Sequence, residues 1–119
     1  MKKWIVDNIM STPVFEVDEN DPVRVAVSKM ERAGTKKILV RSKGKPIGVL
    51  ERWKITDSDL NLQVKQIQPL GKIETVPRGT EMEKVELALL ISSAVYVHDP
   101  NDPNEIVGVV TAYDIARAF

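Results

Sequence analysis

Ile106-Val107-Gly108-Val109-Val110, late in the chain, has a counterpart in Pro46-Ile47-Gly48-Val49-Leu50, and the reading of this stretch decides the fold. Each sets one glycine among β-branched and apolar residues, the composition of a buried strand. Further matches lie outward from it in the same order. Lys37-Ile38-Leu39-Val40 precedes the first stretch and Ala94-Val95-Tyr96-Val97 precedes the second. Phe15-Glu16-Val17 and Glu74-Thr75-Val76 each lead through a turn into a helix, and Val6-Asp7-Asn8-Ile9 returns in pattern as Val64-Lys65-Gln66-Ile67. Matches kept in one order mean an internal repeat. They predict a first repeat with its N-terminal segment at residues 1–59 and a second repeat at 60–119.

Local signals give each repeat the order strand, helix, strand, strand, helix. Asp21-Pro22 predicts a helix start, with Asp as cap and Pro at the first position. Val23, Ala26, Val27 and Met30 follow at helical spacing, and Gly34 is a stop. Residues 37–41 and 46–50 are strands joined by a hairpin turn at Ser42-Lys43-Gly44-Lys45. In the second repeat Thr80-Glu81-Met82-Glu83 has the form of a capping box. Met82, Val85, Ala88 and Leu89 form its apolar face. Strands at 94–98 and 106–110 flank the turn-rich Asp99-Pro100-Asn101-Asp102-Pro103-Asn104, and residues 112–118 predict a closing helix. Residues 56–63 are expected to be a linker.

Composition narrows the function classes. The chain has 119 residues, 43% of them hydrophobic, enough for a globular core. A repeat of roughly 60 residues is marginal alone, so two repeats sharing a core are favoured. Lys+Arg and Asp+Glu are both 17, which removes the net positive charge expected of a nucleic-acid binder. Cysteine is absent, excluding disulfides, thiolate metal sites and cysteine nucleophiles, and the expected compartment is the cytoplasm. The uncharged stretch Leu87 to Val97 is broken by Ser92 and Ser93 and falls short of the roughly 20 apolar residues of a membrane span. Met1-Lys2-Lys3-Trp4-Ile5-Val6-Asp7 reaches an acidic residue before any apolar run, so no signal peptide is expected. His98, the single histidine, is expected to end a strand. Trp4 and Trp53 are expected in packing or dimer contacts, and Asp57 and Asp59 in a local cap. No histidine–carboxylate set has metal spacing and no acid–base set converges, so neither a metal site nor catalysis is expected.

The repeated order, with Gly108-Val109-Val110-Thr111-Ala112-Tyr113-Asp114-Ile115 after the last strand, resembles tandem CBS domains, the regulatory pair named after cystathionine β-synthase. Val6-Asp7-Asn8-Ile9-Met10-Ser11-Thr12-Pro13 and Asp18-Glu19-Asn20-Asp21-Pro22-Val23 resemble the same family. The resemblance implies an α/β fold of two β-α-β-β-α repeats, packed with pseudo-two-fold symmetry around a shared interface. It implies clefts between them for an adenosine-containing ligand: AMP, ADP, ATP or S-adenosylmethionine. It also implies a homodimer, a regulated protein partner and no prosthetic group.

Thr111-x-x-Asp114 has two readings. At a helix start, Thr111 can cap the third N–H and Asp114 can favour the positive helix end. Alternatively, free N–H groups suit a phosphate and a carboxylate suits neighbouring ribose hydroxyls. The resemblance implies the second reading, with Asp114 on the ribose and Thr111 on the phosphate. It adds Val109, Tyr113, Met10, Thr12 and Pro13, with Thr35 and Lys36 near the base and ribose edge. The first repeat departs from the pattern, since Glu51 stands for the threonine and Lys54 for the aspartate. Glu51 would repel phosphate and Lys54 cannot accept hydroxyl bonds. Their helical spacing suits an ion pair instead, so one working site is expected and one lost or altered, the alternative being that Lys54 supplies charge to a phosphate tail. A stand-alone sensor and a ligand-free interaction or dimerisation domain are the two functional expectations.

Overall fold

The computed structural model describes residues 4–118, a mixed α/β chain with two three-stranded sheets. Its first sheet contains β1 (Glu16–Asp18), β2 (Lys37–Ser42) and β3 (Lys45–Glu51), with α1 (Val23–Ala33) connecting β1 to β2. β1 pairs parallel with β2, and β2 antiparallel with β3. The second sheet repeats this order with β4 (Thr75–Pro77), α2 (Met82–Leu89), β5 (Ala94–Asp99) and β6 (Asp102–Thr111), then ends in α3 (Ala112–Ala118). The first repeat has no closing α-helix. Short 3-10 turns at Arg52–Lys54 and Asp57–Asp59 stand in its place.

Two compact units form, and they do not follow the order of the repeats. One is Phe15–Ile73. The other is split, joining the described part of residues 1–14 to the described part of 74–119. The reason is visible in the two cores. Val64 and Ile67, which open the second repeat, are buried with Val23, Ala26, Met30, Ile38 and Leu50 of the first. Val6 and Ile9, which open the first repeat, are buried with Met82, Val85, Val95 and Val110 of the second. Each opening segment therefore supplies apolar side chains to the other repeat, at about 1.5–3 kcal/mol for each fully buried one.

The same exchange caps the helices. Neither predicted side-chain cap forms. Asp21 accepts from the Asp18 N–H at 2.9 Å. The first N–H groups of α1 go to backbone carbonyls instead: Val23 to Leu62 at 2.8 Å and Arg24 to Leu60 at 3.1 Å. Residues 56–63 are thus more than a linker, and Leu60 and Leu62 also pack on the core. In the split unit Met82 N–H donates to the Trp4 carbonyl at 3.1 Å, while Thr80 donates its hydroxyl to the Pro77 carbonyl at 2.7 Å. A well-aligned carbonyl satisfies a free helix N–H as a side-chain oxygen would, so the cap residues are left for other bonds.

Other local expectations hold with shifted bounds. Gly34 ends α1 in the left-handed region at φ 67°. The first hairpin turns at Lys43-Gly44, both with positive φ, which suits two-residue hairpins. The second is tighter than expected. Asp102–Asn104 belongs to β6, leaving Pro100-Asn101 as the turn, with Asp99 opposite Asp102. Pro103 is tolerated because β6 is an edge strand, where a missing N–H need not break a ladder.

Candidate functional site

The candidate site lies within the split unit, where β6 passes into α3. Asp114 is 4% exposed and is the only buried charged side chain among the described residues. A buried carboxylate must be richly bonded to remain charged. Asp114 Oδ2 accepts from the Thr111 backbone N–H at 2.8 Å and from Thr111 Oγ1 at 3.2 Å. Oδ1 accepts from the Ser11 hydroxyl and from the Arg117 guanidinium, the latter at 3.4 Å. The capping roles are thus reversed from the simple expectation. Asp114 reaches back to Thr111, and the threonine hydroxyl donates to the carboxylate.

Strand pairing sets the position of Ser11. Its N–H donates to the Val109 carbonyl at 2.8 Å, and Val109 N–H returns a bond to the Ser11 carbonyl at 3.1 Å. This isolated bridge holds the opening segment against β6. The preceding Met10 lies over Gly108, where an added Cβ would come within 2.8 Å of the Met10 Cγ. The glycine of the repeated strand motif therefore leaves room for the crossing segment. Asp7 secures the segment further upstream, accepting from Gly79 N–H at 2.7 Å and Arg78 Nε at 2.9 Å. Partial burial works to raise the Asp7 pKa, but these hydrogen bonds and the Arg78 charge outweigh it and hold it below its ordinary 3.8.

The structure brings Met10, Val109, Thr111 and Asp114 together and adds Ser11 and Arg117, which sequence reasoning missed. Ser11 lies inside the opening stretch already singled out, and Arg117 follows Asp114 at helical spacing. Those were the available signals. Thr12 and Pro13 are exposed next to Ser11 in the chain. Tyr113 is 70% exposed, with the Arg117 guanidinium 5.6 Å from its ring centre. Thr35 and Lys36 belong to the Phe15–Ile73 unit, between α1 and β2. Thr35 Oγ1 lies 3.3 Å from both Lys37 N and Lys37 O, and Lys36 is exposed.

The corresponding turn of the Phe15–Ile73 unit is chemically different. Lys54 Nζ lies 3.8 Å from Glu51 Oε1, the expected ion pair, and donates to the Pro69 carbonyl at 2.5 Å. Glu51 Oε2 accepts from Trp53 Nε1 at 2.9 Å, and Lys37 Nζ lies 4.0 Å away. Gly71 occupies the position of Ser11, bridged to Val49 as Ser11 is to Val109. An added Cβ on Gly71 would approach Glu51 Oε1 to 2.9 Å. This turn thus offers no buried acceptor for hydroxyls, and its cation is already bonded internally.

Other polar features give no second centre. Asp59 accepts from Thr56 N–H and Oγ1 at 2.9 and 3.0 Å, forming the expected local cap. His98 lies within β5, its Nδ1 2.7 Å from the Asp99 carbonyl. Burial pushes the Tyr96 phenol up to about 12, so it stays protonated at neutral pH. No group of three histidine, aspartate or glutamate side chains suited to a metal occurs among the described residues. A depression of about 300 Å³ beside β1 is lined by Glu16, Asp18, Asp21, Lys29 and Arg41, remote in sequence from Asp114 and containing none of the predicted residues. Its charges are engaged locally, with Arg41 on Glu16 and Lys29 on the Glu16 carbonyl. No helix of the described residues is long and apolar enough to cross a membrane.

Residues 6–60 match the family model of the CBS domain. A search of curated protein sequences finds no match. Among solved structures, protein MJ1004 of Methanocaldococcus jannaschii superposes with a TM-score of 0.84 at 15% identity, over 97% of this chain and 58% of that one. The CBS domain pair of protein MJ0100, in complex with 5′-methylthioadenosine and S-adenosyl-L-methionine, gives 0.80 at 22% identity, covering 99% and 97%. The cytosolic domain of the Mg2+ channel MgtE, in complex with ATP, gives 0.76 at 22% identity, covering 97% and 48%. The chain thus spans only 58% of the first of these and about half of the MgtE domain.

Proposed function

Given a chain with the fold of a CBS domain pair, carrying a CBS domain at residues 6–60, we propose a regulatory module that binds an adenosine-containing ligand and catalyses no reaction. The observation that carries this reading is the Asp114 carboxylate: buried and flanked by hydroxyl and N–H donors. A ribose offers two adjacent hydroxyls, and a carboxylate can accept from both. Relatives of the same fold in complex with S-adenosylmethionine, methylthioadenosine and ATP support this ligand class. In the proposal Asp114 takes the ribose hydroxyls and Thr111 faces the phosphate or its counterpart. Val109, Tyr113, Met10, Thr12 and Pro13 line the site, and Thr35 and Lys36 are proposed as further ligand-binding residues.

A sensor of this kind shifts a partner only through the ligand's different affinities for two states. Its output is a protein partner or self-association as a homodimer, and its setting is the cytoplasm. Titration of AMP, ATP and S-adenosylmethionine tests the reading by calorimetry and melting temperature. A ligand at 100 times its dissociation constant adds about 2.7 kcal/mol of stability. No heat and no shift with any of them at millimolar concentration would sink it.

The alternative reading is a ligand-free interaction or dimerisation domain. One observation favours it: Leu87, Leu90 and Ile91, at and just beyond the end of α2, are 63–82% exposed, as is Trp53 at 75%. A silent nucleotide titration together with a stable dimer in sedimentation would establish it instead.

A further inference from the structure

Both oxygens of Asp114 are already occupied by the chain's own donors. Oδ2 is held by the backbone and side chain of Thr111, three residues away in the same turn. These bonds orient the carboxylate and can persist with a ligand present. Oδ1 is different. Its donors are Ser11 from the opening segment and Arg117 from the far end of α3. Arg117 is 60% exposed and 3.4 Å away, so water replaces it at little cost. Ser11 is the closer partner, and its backbone is fixed by two bonds to Val109, so the hydroxyl stands ready beside the carboxylate.

We propose that the Ser11 hydroxyl is an internal competitor for the ligand. It occupies the acceptor that a ligand hydroxyl would use, and binding proceeds by exchange of one hydroxyl for another at Asp114 Oδ1. This inference rests on the adenosine reading above. A rotation of the Ser11 side chain releases Oδ1 without disturbing the bridge to Val109. Ser11 thereby keeps the buried carboxylate satisfied when ligand is absent, and limits affinity when ligand is present. The corresponding position in the other unit is Gly71, which has no such hydroxyl, beside a turn with no aspartate.

The signature is a pair of effects of opposite sign. Ser11→Ala removes a hydrogen bond to a buried charge, so the free protein should melt at a lower temperature. The same change frees the acceptor, so AMP should bind tighter by on the order of tenfold, the effect of releasing one hydrogen bond to a carboxylate. A merely structural serine would lose stability without gaining affinity. Calorimetry of wild type and Ser11→Ala with AMP and with 2′,3′-dideoxy-AMP completes the test. The gain should appear with AMP and vanish with the dideoxy analogue, which has no ribose hydroxyl to exchange. Weaker AMP binding by Ser11→Ala, or an equal gain with both ligands, overturns the competitor role while leaving the adenosine reading in place. Absence of AMP binding in both proteins removes that reading and the inference with it. Binding by Ser11→Ala alone would support the competitor role in its strongest form.

Discussion

The turns after β3 and β6 start from the same backbone and end in opposite chemistry. In each, a central glycine lets a crossing segment lie on the strand: Met10-Ser11 over Gly108, and Leu70-Gly71 over Gly48. Beyond it, one turn buries a carboxylate surrounded by donors, and the other forms an ion pair between Glu51 and Lys54. One enters a seven-residue α-helix, whereas the other continues as short 3-10 turns. Packing constrains the strand and its glycine. It leaves the next three residues free to diverge, and those residues decide whether the turn can accept hydroxyl groups.

The largest effect expected is at Asp114. Asp114→Ala removes the acceptor and should weaken adenosine-ligand binding by roughly a hundredfold or more, by analogy with the loss of two hydrogen bonds to a charge. Circular dichroism should show the fold retained. Unchanged affinity in calorimetry would erase the proposed difference between the turns.

The two glycines come next. A Cβ on Gly48 would lie 2.9 Å from the Gly71 carbonyl and from Leu70 Cβ, so backbone must move. A Cβ on Gly108 meets the Met10 side chain, which has rotamers to spare. Gly48→Ala is therefore expected to cost about 2–3 kcal/mol and Gly108→Ala about 1 kcal/mol in urea unfolding. The reverse order would show that Met10 is the more rigid neighbour.

The anchors of the two opening segments also differ. Asp7 is bonded to Arg78 and Gly79, whereas its counterpart Lys65 contributes a backbone bond to the Glu19 carbonyl. Because the folded Asp7 pKa lies below 3.8, its contribution is present above that value and is lost as pH falls through the lower folded value. Asp7→Asn should cost about 1 kcal/mol at neutral pH, and the gap to wild type should close as pH falls through the lowered folded value of Asp7. A gap that persists in acid would assign the effect to packing.

The smallest effect is expected at the ion pair. Lys54→Ala should change stability by about 1 kcal/mol or less and leave ligand stoichiometry untouched. A change in stoichiometry would make the first turn a second binding site.

Much of the fold was legible because strands and helices answer to local patterns. The stripe Val23, Ala26, Val27 and Met30 is buried as its spacing predicts, and Gly34 stops the helix. The Glu51–Lys54 pair followed from spacing and charge. Two kinds of feature were not legible. Helix caps at Asp21 and Thr80 look sound in sequence, but nearby carbonyls of Leu60, Leu62 and Trp4 took those N–H groups. Ser11 and Asp114 are far apart in the chain, so nothing local couples a serine to that carboxylate.

The sequence by itself determined the repeat, the order of the strands with α1, α2 and α3, the apolar faces and the divergence of Glu51 and Lys54 from Thr111 and Asp114, but not the loss of a closing helix in the first repeat. Each depends on neighbours a few residues away, where periodicity and charge are readable. Only the tertiary structure decided that each opening segment packs with the opposite repeat. That exchange rests on the shape of two cores and on unpaired backbone groups seeking partners across long loops. It delivers Met10 to Gly108, Ser11 to Val109 and thereby a hydroxyl to the buried Asp114.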